Sequence, residues 1–285
     1  MTIRAHLIAP VLALLVAACG AGPGATSSPP VRSVPQATSA SPTAALPSEF
    51  PSQSPLSTVP PLRVVGLGDS YMSAQNAKGE SFMDIYAAEL EKRLGRPVEL
   101  TLLTGGDATT AKVKERLAGD ARTSVANADV IVISVGGNDS DPFGPYPAGT
   151  CVPKQPLAAC LEAYSPTLAA NYEAILASIT ALRAGKPTAV RVTSMDDPFV
   201  GLSDAPTKTF ARDFFAQVAE AQTEAVFAIA KRHGAKTVDY LHIFSGRDGL
   251  SDPAKYLAAD HLHPGALGIQ TIADELLRLG LPELE

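Results

Sequence analysis

The chain is short of the features that would place it in several large functional classes. Near its amino terminus the apolar run at residues 7–16 is only ten long and is interrupted by Pro10, against the roughly 20 residues a spanning helix needs. A permanent span there is excluded. Basic charge is also in deficit, with 23 Lys and Arg against 29 Asp and Glu and no basic stripe, which excludes nucleic acid as the expected partner. Cysteine is scarce, at three residues. Asp260, His261 and His263 are close in sequence, but zinc needs three or four ligands and neither His233 nor His242 has a supporting pattern, so no metal is expected. Gly66-Leu67-Gly68 lacks the third glycine of a dinucleotide loop, Tyr71 standing in its place. Gly68-Asp69-Ser70-Tyr71-Met72 lacks the last glycine of a Gly-x-Ser-x-Gly elbow, which speaks against an α/β-hydrolase. No cofactor is expected.

What the amino terminus does have is the layout of an export signal. Arg4 and His6 precede the apolar run, and Ala17 and Ala18 lead to Cys19. The tetrad Val16-Ala17-Ala18-Cys19 resembles the lipobox of bacterial lipoproteins, which implies cleavage after residue 18 and lipidation of Cys19. Residues 20–61 then hold ten prolines and only two charged residues, Arg32 and Glu49. So little apolar surface cannot offset the entropy of ordering, and residues 19–61 are expected to form a disordered tether. The expected location is the extracytoplasmic face of the bacterial cell membrane, with the lipid as the membrane contact. Residues 62–285 remain, long enough for one domain with a full core. With Cys19 assigned to lipid, Cys151 and Cys160 are an even pair in an oxidising compartment, amid Pro145, Pro147, Pro153 and Pro156, and are expected to form a disulfide.

Within that domain, strand-like apolar runs occur at residues 63–67, 98–103, 129–135, 189–193 and 236–240, alternating with helical patterns. Ser81 with Asp84 makes a capping box, and Gly95 and Pro97 stop that helix. Ser165-Pro166 is expected to open a second helix, and residues 210–229 carry a third that stops at Gly234. Five alternations imply a parallel sheet covered on both faces, an α/β/α sandwich. In the flavodoxin-like order 2-1-3-4-5, ligands bind between strands one and three. Ser70 follows the first and Asn138 follows the third.

Three segments carry chemistry. Ser70 is a hydroxyl at a strand end, and a turn or cap serine is its bland alternative. Asp260 and His263 supply the carboxylate and imidazole that a serine nucleophile needs, the base to take its proton and the acid to fix the base's tautomer. Pro264 favours an extended His263 at a loop end. Gly136-Gly137-Asn138-Asp139 suits a turn, yet Asn138 also offers an uncharged N–H donor for an oxyanion. Asp139 with Asp141, or Asp196 with Asp197, would be a glycosidase pair only if such pairs were not common in solvated loops.

In order, Gly68-Asp69-Ser70, Gly105-Gly106, Gly136-Gly137-Asn138-Asp139 and Asp260-His261-Leu262-His263-Pro264 together are similar to the blocks of the SGNH (GDSL-type) hydrolase family. The resemblance implies a three-layer fold and metal-free ester hydrolysis. It casts Ser70 as nucleophile, His263 as base and Asp260 as its orienter. The oxyanion hole would be the Ser70 N–H, a glycine N–H at Gly106 (Gly105 being the alternative) and the Asn138 side chain. Two departures stand out: no asparagine precedes Gly105 within residues 100–104, and Tyr71 replaces the usual leucine. The expected function is a monomeric serine esterase or lipase, with a polysaccharide O-acetylesterase or a catalytically silent binding module as alternatives.

Overall fold

The computed structural model describes residues 59–73, 79–139, 156–195 and 206–285. Five parallel strands form one sheet: β1 (Leu62–Gly68), β2 (Val98–Thr104), β3 (Val130–Ser134), β4 (Ala189–Thr193) and β5 (Lys236–Val238), in the order β2-β1-β3-β4-β5. This is the order expected from the sequence. The central strands are apolar without alternation because helices cover both faces. Leu62, Val64, Val130 and Val132 enter one core, while Val65, Leu67, Ile131 and Ile133 enter the other.

Helices α1 (Phe82–Leu94) and α7 (Ala266–Arg278) cover the first face, with Phe82, Tyr86, Ile269, Ile272 and Leu276 buried against the sheet. Helices α2 (Thr110–Ala118), α3 (Arg122–Asn127), α4 (Leu157–Arg183) and α5 (Pro206–Arg232) contribute to the second core. The short α6 (Tyr240–Ser245) follows β5. Ser81 caps α1 as expected, its hydroxyl accepting from the Met83 and Asp84 N–H groups while Asp84 accepts from the Ser81 N–H.

Two boundaries differ from those expected. Helix α4 begins at Leu157 and runs through Pro166. Leu157-Ala158-Ala159 and Leu161-Glu162-Ala163 are strong helix formers that carry the helix across a proline, although proline there forfeits one backbone bond. Strand β5 stops at Val238 because Asp239 caps α6, its carboxylate accepting from the His242 N–H at 3.2 Å. Cys19 and Cys151 lie outside the described residues, as does the side chain of Cys160, whose backbone falls in α4. The expected disulfide therefore also lies outside them.

The register does the assembling. Gly68 pairs with Thr104 on one side and with Ser134 on the other, so β1, β2 and β3 end level. The segments that leave those three ends are consequently neighbours.

Candidate active site

The turn after β1 is built by a close approach and a buried carboxylate. A Cβ on Gly68 would lie 2.5 Å from the Ser134 carbonyl oxygen, so only glycine lets β1 run this near β3 here. Asp69 then donates its N–H to that same carbonyl at 3.2 Å. Its side chain, 2% exposed, accepts from the N–H of Tyr71 at 3.0 Å and from the N–H of Gly136. Burial pushes the Asp69 carboxyl up to about 7; the Tyr71 N–H opposes the rise and the nearby Asp139 charge adds to it. The Ser70 carbonyl accepts from the N–H and hydroxyl of Ser73 at 3.2 and 2.9 Å. Ser70 itself is half-buried, and neither its N–H nor its hydroxyl is bonded to a described residue.

Beyond β2, the Gly105 N–H is used by the Gly68 carbonyl at 3.2 Å. The Gly106 N–H makes no bond to the described residues. Between the two glycines, Gly106 is thus the one with a donor to give.

Beyond β3, Asn138 and Asp139 sit in a 3-10 turn, Gly137–Asp139. The Asn138 amide donates to the Ala108 carbonyl at 2.9 Å and approaches the Gly106 carbonyl at 3.4 Å, which joins the second and third segments. Asp139 accepts from the N–H and hydroxyl of Thr110 at 2.8 and 2.5 Å, fixing the turn to the start of α2. Burial raises the Asp139 carboxyl above its ordinary range, against the two Thr110 bonds. From the helices behind, Gln222 donates to the Gly136 carbonyl at 2.8 Å and Tyr172 to the Val135 carbonyl at 2.5 Å.

The fourth segment is a loop folded on itself. An isolated antiparallel bridge pairs Leu257 with Pro264, and Ala258 donates to the His263 carbonyl at 2.7 Å. Asp260 accepts from the N–H groups of Leu262 and His263, each at 3.1 Å, and its other oxygen meets His263 Nδ1 at 2.8 Å. Burial pushes the Asp260 carboxyl up, but His263 and those two N–H groups outweigh it and hold the group below the usual range. With Nδ1 engaged, Nε2 is the ring nitrogen left for a substrate or a nucleophile.

Asp260 and His263 are therefore directly joined, and Asn138 lies against the Gly106 loop. Ser70 and His263 share no hydrogen bond. The link between their segments is Tyr71, whose hydroxyl donates to the Leu262 carbonyl at 2.5 Å. Four residues that shape the site are given no part in the expected serine chemistry by the sequence analysis above. Asp69, Tyr71 and Asp139 flank the motif residues, and of these only Tyr71, in place of leucine, carries a visible sign. Gln222 lies 86 residues from its partner on a helix of unremarkable pattern, and no sequence signal marks it.

The family model for GDSL-like lipases and acylhydrolases matches residues 67–270. Among solved structures, a lipase from a goat-rumen metagenome is similar at 23% identity and TM-score 0.63, covering 79% of this chain and 100% of that one. An acetylxylan esterase from Geobacillus stearothermophilus is similar at 17% identity and TM-score 0.55, covering 79% and 96%. A lipase/acylhydrolase from Enterococcus faecalis gives 16% identity and TM-score 0.51, covering 76% and 94%. No curated protein matches the sequence significantly.

Proposed function

The chain belongs to the GDSL-like lipase/acylhydrolase family of ester hydrolases, and from that premise we propose that it works as a serine esterase through Ser70, His263 and Asp260. The observation that carries this reading is the 2.8 Å bond between Asp260 and His263 Nδ1, which fixes the ring tautomer and reserves Nε2 for the serine proton. In the reaction, Nε2 takes the Ser70 proton as the oxygen attacks the ester carbonyl. Asp260, held ionised, stabilises the imidazolium that forms. The tetrahedral oxyanion is met by the N–H groups of Ser70 and Gly106, donors fixed in place before charge develops, and by the Asn138 amide, which gives up its long 3.4 Å bond to the Gly106 carbonyl to do so. His263 then protonates the leaving alcohol and activates a water that releases the acyl group.

The substrate is a carboxylic acyl ester. A polysaccharide O-acetylesterase is the second reading, supported by the fold shared with an acetylxylan esterase. Lipidation of Cys19 would hold a monomeric enzyme outside the membrane on the proline-rich segment. Ser70→Ala should keep the melting temperature and lower kcat on chromogenic acetate and butyrate esters by on the order of 10⁴-fold or more. A fluorophosphonate should label Ser70 in the wild type and nothing in the variant. Undiminished turnover in folded Ser70→Ala would overturn the mechanism. Release of acetate from acetylated xylan, faster than cleavage of the chromogenic esters, would select the second reading.

A further inference from the structure

Tyr71 follows Ser70 directly and is 7% exposed. Its ring stacks on Tyr240, with centroids 6.0 Å apart and planes 6° from parallel, and lies 5.9 Å from the His263 ring at 38°. Its hydroxyl reaches the Leu262 carbonyl, 191 residues away in sequence. That carbonyl belongs to the peptide unit whose N–H is His263's own, and the same N–H donates to Asp260. The peptide preceding His263 is thus gripped at both ends, its oxygen by Tyr71 and its N–H by Asp260. The grip matters because the loop around it is exposed and strained. Leu262 is 42% exposed and His261 adopts φ 56°, a conformation costly for a residue with a Cβ. Without the hydroxyl, nothing else described ties the Leu262 carbonyl to the sheet side of the site.

The geometry points to Tyr71 as a positioning residue that sets the approach of His263 to Ser70, its hydroxyl clamping the base loop to the turn that carries the nucleophile. This inference rests on the reading of Ser70 and His263 given above. A phenol suits this role because its hydroxyl sits at the end of a flat ring with two side-chain torsions, and here stacking on Tyr240 fixes the ring. Leucine, the residue that the resemblance expects here, has no donor to offer.

Tyr71→Phe removes the hydroxyl and keeps the stack. In the wild-type background kcat on a chromogenic butyrate ester should fall about tenfold, the effect of one lost hydrogen bond, while KM changes less than twofold. Inactivation by a fluorophosphonate, which also needs the base, should slow by the same factor. In a His263→Ala background the same substitution should leave the residual rate unchanged, because the residue acts through His263. Tyr71→Leu, deleting hydroxyl and ring together, should lose at least as much kcat. Wild-type turnover in either folded variant, or an equal loss with and without His263, would overturn the assignment. If His263→Ala itself kept wild-type turnover, the underlying mechanism would fall first; if it abolished turnover while Tyr71→Phe did not change it, only the role of Tyr71 would be lost.

Discussion

Asp69 shows how a single side chain can serve the site at a cost to the fold. Its carboxylate braces the Ser70 turn to Gly136, yet it is buried beside Asp139 with only backbone N–H groups for company. With the folded group titrating at about 7 and the ordinary value at 3.8, the folded state holds its proton through a range in which the unfolded chain has released it. Stability from this group is therefore complete below pH ~4, falls as pH rises, and levels off above pH ~7, a span worth roughly 4 kcal/mol. Asp69→Asn mimics the neutral acid and should flatten that slope. The melting temperature of the wild type should fall relative to that of the variant between pH 4 and 7. Parallel curves across this window would mean that the carboxyl ionises as readily in the folded protein as out of it. Asp139 pushes the same way, so the variant removes only part of the dependence.

At the scale of elements, the sheet is locked to the chain's last turn by Arg191 of β4. Its side chain is 0% exposed and grips Glu283 with both terminal nitrogens at 2.9 Å, while Nη2 also donates to the Gly280 carbonyl at 2.7 Å. Burial raises the Glu283 carboxyl, but the Arg191 bond, its own backbone N–H and the charges of Arg191 and Lys236 more than offset this and hold it low. Glu283→Gln would leave the buried guanidinium without a counter-charge, which typically costs about 3 kcal/mol or more. The midpoint of urea unfolding should drop accordingly, with kcat per folded molecule unchanged; an unaltered midpoint would show that the pair contributes nothing net. Strand β4 is legible in the sequence, but the reason for a charged residue in its middle is not, since the partner lies 92 residues on, past three further α-helices.

For the whole molecule, residues 1–58 remain an expectation from sequence alone. Cys19→Ser should leave the precursor unprocessed or release the head into the medium, and fractionation with mass analysis of the mature amino terminus would tell. An unchanged distribution would favour plain secretion. The domain at residues 62–285 is different, because there the sequence determined a great deal by itself. Periodicity and turn chemistry are local, so five strands and the capping box at Ser81 were legible, and the strand order that juxtaposes the ends of β1 and β3 is the flavodoxin-like one expected of such an alternation. Ser70, Asn138, Asp260 and His263 stood out in the sequence by residue type and spacing, and the roles proposed for them start from there. Tertiary structure decided what depends on partners distant in sequence. It showed that the Gly105 N–H is consumed by the Gly68 carbonyl, whereas the Gly106 N–H makes no bond to the described residues. It revealed two neighbouring carboxylates, Asp69 buried and Asp139 partly so, and tied Tyr71 to Leu262 and Gln222 to Gly136. A hydrogen bond is fixed by the position of two atoms to within a few tenths of an ångström, and one-dimensional patterning carries no such information across 191 residues.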